Sequence, residues 1–135
     1  MSTVTGGCGC GAVRFEITEP FLSASYCHCT RCQRRTGTAS SANARLAPGA
    51  LRITAGEDEL RVWAPEGGAE KVFCGLCGSA VFSRRPDGGW LGVRLGAIDG
   101  DPGIRPQWHQ YVAYAAPWQP LPDDGLPRYP ESRPS

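Results

Sequence analysis

Apolar and polar residues alternate along this chain in short runs, and no run repeats every three or four positions over three turns. Residues 12–17 put Val13, Phe15 and Ile17 on one face and Arg14 and Glu16 on the other, the signature of a half-buried strand. Residues 51–54 and 60–63 read as the arms of a hairpin around Gly56-Glu57-Asp58. Residues 71–74 and 80–83 flank a cysteine pair. Residues 90–98 read as a longer strand bent at Gly92 and Gly96. The aromatic-rich residues 107–115 read as a last strand. One helical turn fits residues 30–36, ended by Gly37.

The punctuation agrees with the alternation. Eighteen glycines and twelve prolines interrupt 135 residues, as expected for an all-β domain of short strands and turns. Seven of the prolines lie from Pro106 onward, and proline cannot donate to a sheet ladder. The sequence therefore predicts one domain over 1–135, with 117–135 an extended Pro-rich C-terminal segment on its surface.

Charge removes some classes of function. The net charge is +1, whereas phosphate-backbone binding usually shows as a strong basic excess, so nucleic acid is not the expected partner. No apolar run approaches the ~18 residues of a membrane helix. The first residues lack a charged segment followed by an apolar one, so no signal peptide is expected. These features point to a cytoplasmic protein, a monomer or homodimer with no membrane partner. Arg31, Arg34 and Arg35 form the one local basic cluster. It reads as an anion-binding rim or, more plainly, as a solvated positive patch.

Seven cysteines then need a reason. Disulfides are rare in the cytosol, and an odd count cannot pair completely. Metal ligation accommodates both facts. Cys74-Gly75-Leu76-Cys77-Gly78 has the form of a zinc knuckle, in which two intervening residues let the chain turn and present both sulfurs to one ion. A structural zinc takes four ligands. Cys8 and Cys10 are the natural complement, two apart on an extended backbone and so on one face. Cys27, Cys29 and Cys32 remain. Three thiolates with an open fourth position match the arrangement of catalytic zinc, and such a site loses metal more readily than a closed one. Two other readings stay open. His28 or His109 could complete a second structural site, or Cys74 and Cys77 could form a redox pair.

The order C-x-C, C-x-C-x-x-C, C-x-x-C resembles the glutathione-dependent formaldehyde-activating enzyme family, whose relatives include the domain of centromere protein V. The matching residues are Gly7-Cys8-Gly9-Cys10-Gly11-Ala12-Val13-Arg14-Phe15, the segment from Cys27-His28-Cys29-Thr30-Arg31-Cys32 to Gly37, and Phe73-Cys74-Gly75-Leu76-Cys77-Gly78-Ser79. Ala116-Pro117-Trp118 and Asp124-Gly125-Leu126-Pro127-Arg128-Tyr129 resemble the family's closing segment. The resemblance implies a β-tent fold of short antiparallel sheets around zinc sites. It implies a structural Zn²⁺ on Cys8, Cys10, Cys74 and Cys77 and a catalytic Zn²⁺ on Cys27, Cys29 and Cys32. The implied activity is that of a carbon–sulfur lyase, joining glutathione or a similar thiol to formaldehyde or another small aldehyde. Arg31, Arg34 and Arg35 would then meet the thiol's carboxylates, and His28 is a candidate base by proximity. Trp63, Trp90, Trp108, Tyr111 and Trp118 could wall a pocket or pack a core. The alternative function is a non-enzymatic zinc module that binds a protein partner.

Overall fold

Strand β2 (Arg14–Ile17) buries Phe15 and Ile17 and turns Arg14 and Glu16 outward. It lies between β1 (Val4–Gly7) and β5 (Leu51–Ala55) in a three-stranded antiparallel sheet. The computed structural model describes residues 3–134. Met1, Ser2 and Ser135, the ends of the single domain expected over 1–135, lie outside the described residues.

A second, seven-stranded sheet carries the rest. It contains β3 (Ser23–Cys27), β4 (Ser41–Leu46), β6 (Leu60–Trp63), β7 (Glu70–Cys74), β8 (Ala80–Arg84), β9 (Leu91–Arg94) and β10 (His109–Gln110). Their order is β10-β3-β4-β9-β8-β7-β6. All pairs are antiparallel except β10 on β3. The chain is mostly β, with one α-helix among the described residues, α1 (Thr30–Thr36), capped by Gly37. No helix of the described residues is long and apolar enough to cross a membrane.

The two sheets share one core. Phe15 and Ile17 from the smaller sheet, with Val13 just before it, meet Ala24, Ala44, Leu46, Val81 and Val93 from the larger one. The ladder registers place Ala24 opposite Ala44, Ala44 opposite Val93, and Val93 opposite Phe82. One face of the large sheet is therefore an apolar row. Its other face carries Ser23, Ser25 and Cys27 on β3 and Asn43 and Arg45 on β4, because strand side chains alternate. That face holds the functional features.

Three sequence expectations are corrected. Residues 51–54 and 60–63 do not form a hairpin: β5 pairs with β2 and β6 with β7, in different sheets. The reason is Gly56. It adopts φ 77° and opens a 3-10 turn at Glu57–Glu59, which redirects the chain. The strand expected over 90–98 ends at Arg94 and becomes a 3-10 turn at Leu95–Ala97. The strand expected over 107–115 keeps two residues. Tyr111 sits at φ 57°, and a 3-10 turn follows at Val112–Tyr114.

Gly56 gives a stability prediction. A side chain there would collide with the Ala12 carbonyl, in a backbone region that side chains disfavour, whereas Gly49 has φ 81° and open space. Gly56→Ala is expected to cost about 3 kcal/mol and Gly49→Ala only about 1 kcal/mol. Urea unfolding of both variants checks this, and equal midpoints would refute the steric account.

Candidate metal centres and the adjoining cleft

Cys8 follows β1 and Cys74 ends β7, so the first cluster ties the small sheet to the large one. The Sγ atoms of Cys8, Cys10, Cys74 and Cys77 all lie within 4.8 Å of one another. Cys8 Sγ is 3.6 Å from Cys10 Sγ, and Cys10 Sγ is 3.9 Å from Cys74 Sγ. A tetrahedral Zn²⁺ with Zn–S near 2.3 Å sets its sulfurs roughly 3.8 Å apart. Disulfide sulfurs would be about 2.05 Å apart, and all seven cysteines are free. The donor set fits zinc.

The local backbone supports that arrangement. Cys8 and Cys10 do not sit on extended backbone. They flank a turn in which the Gly11 N–H donates to the Cys8 carbonyl and the Val13 N–H to Cys8 Sγ, at 3.2 Å each. The turn still brings both sulfurs to one side. In the knuckle, Gly78 takes φ 79° and donates to the Cys74 carbonyl. Ser79 fastens the two halves, since its hydroxyl accepts from the Gly9 N–H at 2.9 Å and lies 3.2 Å from Cys77 Sγ. The Ser79 hydroxyl and nearby backbone groups bring the Cys77 thiol down to about 5.

The second cluster is local in sequence. Cys27 ends β3, Cys29 is the N-cap of α1, and Cys32 lies in its first turn, with its N–H donating to Cys29 Sγ at 3.3 Å. The three Sγ atoms lie within 4.8 Å of one another, and among the described residues no histidine or carboxylate joins them. Cys32 is held well below the ordinary thiol range by hydrogen bonds from Cys27 and Cys29. Cys27 is driven up by its hydrogen bonds with Cys29 and Cys32 and by burial. A divalent cation relieves this conflict, because coordination holds each thiol as thiolate. These sulfurs can hold zinc.

The two clusters differ in access. Cys27, Cys29 and Cys32 line a cleft of about 760 Å³, and the other four cysteines do not. A cleft of that size suits a small-molecule ligand.

His28 faces the other way. Alternation along β3 sends Tyr26 and His28 to the face opposite Cys27 and Cys29. His28 Nε2 meets His109 Nδ1 at 2.9 Å, and His109 Nε2 meets Asp124 Oδ2 at 2.7 Å. The His109 ring also stacks on Tyr26 with centroids 4.9 Å apart. The hydrogen bond from His109 holds the Asp124 carboxyl below its ordinary value. An ionised carboxylate only accepts, so His109 Nε2 donates its proton to Asp124. Burial pushes the His28 imidazole below its ordinary value. The candidate base is therefore a buried strut that ties the C-terminal segment to the metal loop, and it does not line the cleft. Residues 117–134 form no strand, but Arg128 bridges to His109 and the Tyr111 N–H donates to the Glu131 carbonyl.

The other candidates divide. Of the three arginines, Arg31 lines the cleft, whereas Arg34 is exposed outside it. Arg35 lies 5.8 Å from the Trp63 ring centroid, and its Nε is buried without a hydrogen-bond partner. Trp90, Trp108 and Tyr111 line the cleft, whereas Trp63 and Trp118 are exposed and do not. Sequence reasoning missed Asp124, Tyr114 and the cleft cations Arg45, Lys71, Arg94 and Arg133. The alternation Ser23-x-Ser25-x-Cys27 was a usable signal, since small polar residues in line with a ligand mark an open strand face.

Comparison with known proteins agrees with this geometry. A family model described as glutathione-dependent formaldehyde-activating enzyme matches residues 3–114, a span that holds all seven cysteines. The fold is similar to the crystal structure of a Rhodobacter sphaeroides protein from a structural genomics programme. The two are 27% identical with a TM-score of 0.57, covering 93% of this chain and 98% of that one. A comparison with curated protein sequences finds no match. The cysteine pattern, its assembly into two clusters and the family match over most of the chain lead to one assignment: the chain belongs to the glutathione-dependent formaldehyde-activating enzyme family.

Proposed function

We propose that this chain is a zinc-dependent enzyme of carbon–sulfur lyase type that joins a small thiol, glutathione or a similar one, to a small aldehyde. The observation that carries this reading is the asymmetry of the clusters. The three-cysteine set opens on the cleft, while the four-cysteine set is tied into the sheet junction. The closed set serves structure and the open set serves chemistry. Cys27, Cys29 and Cys32 would hold a Zn²⁺, which would supply Lewis acidity to a thiol or a carbonyl oxygen in the cleft.

The residues around it bind and orient. Arg31, beside the cluster, offers bidentate geometry to a carboxylate. Trp108 and Tyr111 wall the cleft. In the addition, the thiol sulfur forms a bond to the carbonyl carbon, and the thiol proton ends on the former carbonyl oxygen. Nothing is oxidised or reduced. Holding both reactants together removes most of the entropic cost of their encounter.

The protein with both sites filled is expected to speed thiol–formaldehyde adduct formation, followed by exchange NMR. Cys29→Ser should remain folded, hold one zinc fewer and lose roughly 100-fold or more of that acceleration. Full activity in the folded, one-zinc variant would overturn the reading. A second reading, a non-enzymatic module for a protein partner, draws on edge strand β6, where Val62 and Trp63 are exposed. Absence of turnover with every thiol and aldehyde tried, at full zinc occupancy, would favour it.

A further inference from the structure

The charges of this protein are distributed unevenly. Arg14, Arg52, Arg84, Arg85 and Arg105 each pair with a carboxylate, and none of them lines the cleft. The cleft gathers Arg31, Arg45, Lys71, Arg94 and Arg133, and among the described residues none of these five has a carboxylate partner. Among the described residues one side-chain carboxylate, Glu131, lines it, and that carboxylate accepts from the Tyr114 hydroxyl at 3.1 Å.

The sheet explains how these cations converge. Lys71 lies opposite Ser83, Ser83 opposite Gly92, Gly92 opposite Arg45, and Arg45 opposite Ser23. Arg94 lies opposite Asn43 in the next row and donates to its Oδ1 at 2.6 Å. Small residues thus separate long cationic ones on one sheet face, which leaves room above the floor. At the far side, aromatic rings hold two of the guanidinium groups in place. Arg45 lies 4.4 Å from the centroid of Trp90, and Arg133 4.2 Å from that of Trp108.

A folded protein gains nothing from gathering like charges unless something answers them. Lys71 is half-buried and, among the described residues, has no acid beside it, and burial pushes its ammonium below the ordinary value. Five cations face one carboxylate and a zinc site whose three thiolates exceed the ion's charge by one. About three positive charges are left over. Glutathione, with two carboxylates, one ammonium and its thiol bound as thiolate, would answer only two of them.

We propose that the cleft selects a small polyanion, a ligand with two or more carboxylate or phosphate groups and no compensating cation. Its anionic groups rest on Lys71, Arg94 and Arg45, and its thiol reaches the Cys27–Cys29–Cys32 site. The thiol end of this inference rests on the function proposed above, but the anionic end does not.

The test is calorimetric binding to the zinc-loaded protein. Mercaptosuccinate, a thiol with two carboxylates, is compared with neutral 2-mercaptoethanol, and succinate and pyrophosphate serve as thiol-free anions. Mercaptosuccinate is expected to bind about tenfold or more tightly than 2-mercaptoethanol at low salt. Most of that advantage should vanish near 1 M salt, where the Debye length falls to about 3 Å. Lys71→Met and Arg94→Met should each remove about fivefold or more of the advantage and leave 2-mercaptoethanol binding unchanged. The tighter of succinate and pyrophosphate identifies the anionic group as carboxylate or phosphate. Equal affinity for the two thiols at low salt overturns the proposal. If neither thiol binds but an anion does, and Lys71→Met weakens it, the polyanion cleft stands and the thiol reading falls. If nothing binds, both fall. The salt dependence needs no variant, so a misfolded mutant cannot obscure the result.

Discussion

Cys74→Ser is expected to yield insoluble or unfolded protein, in contrast to the folded Cys29→Ser. Cys74 is fully buried at the end of β7, and its sulfur sits 3.9 Å from that of Cys10. Cys8 and Cys10 hang from β1 of the small sheet, so the cluster is a clasp between two sheets that otherwise meet through a modest apolar core. A structural zinc can contribute on the order of 10 kcal/mol of coupled binding and folding. The total stability of a domain is typically about 5–15 kcal/mol. Loss of one ligand leaves little of it. Circular dichroism and zinc counting, run together on both variants, check this. Identical behaviour of the two variants would mean that the sites do not divide their labour.

His109→Ala should produce the second large loss, without loss of metal. The ring is 2% exposed and joins His28 on one side and Asp124 on the other. Truncation leaves a cavity beside Tyr26 and two polar groups without partners. The expected cost is about 3 kcal/mol, or roughly 10 °C in Tm for a domain of this length. The zinc content should stay unchanged, and residues 117–134 should become sensitive to limited proteolysis. His109→Gln, which keeps a hydrogen-bonding group, should recover part of the loss. Wild-type melting of His109→Ala would show that the strut carries no load. The pH dependence has a definite sign. The Asp124 carboxyl titrates below its ordinary value in the fold, so its stabilising contribution is present above that value and is lost as pH falls.

The reach of the sequence followed the range of the interactions. Alternation at Val13, Phe15 and Ile17 identifies β2, because the pleat itself alternates. Thr30 to Gly37 shows its helical turn through a local cap. The three-cysteine cluster is legible for the same reason, since all its ligands lie within six consecutive residues. Spacing alone also suggests that Cys8 and Cys10 pair with Cys74 and Cys77, because a knuckle must find two further ligands. These features depend on neighbours along the chain or on the coordination number of an ion, and both can be written in a sequence.

Other features depend on which strands become neighbours in space. Gly56 could be read as the turn of a hairpin, but the partners of β5 and β6 lie in two different sheets. The polar face over which Lys71, Arg45 and Arg94 converge exists only once β7, β8, β9 and β4 are in register. Asp124 stood in the segment that resembles the family's close, but its role was not legible, because its partner His109 lies fifteen residues away. The sequence by itself determined the ligand types, the strand periodicity and the family. The tertiary structure decided which cysteines face a cleft, which histidine is a strut and where the unanswered charge gathers. Long-range pairing sets relative position, and position converts a list of residues into a site.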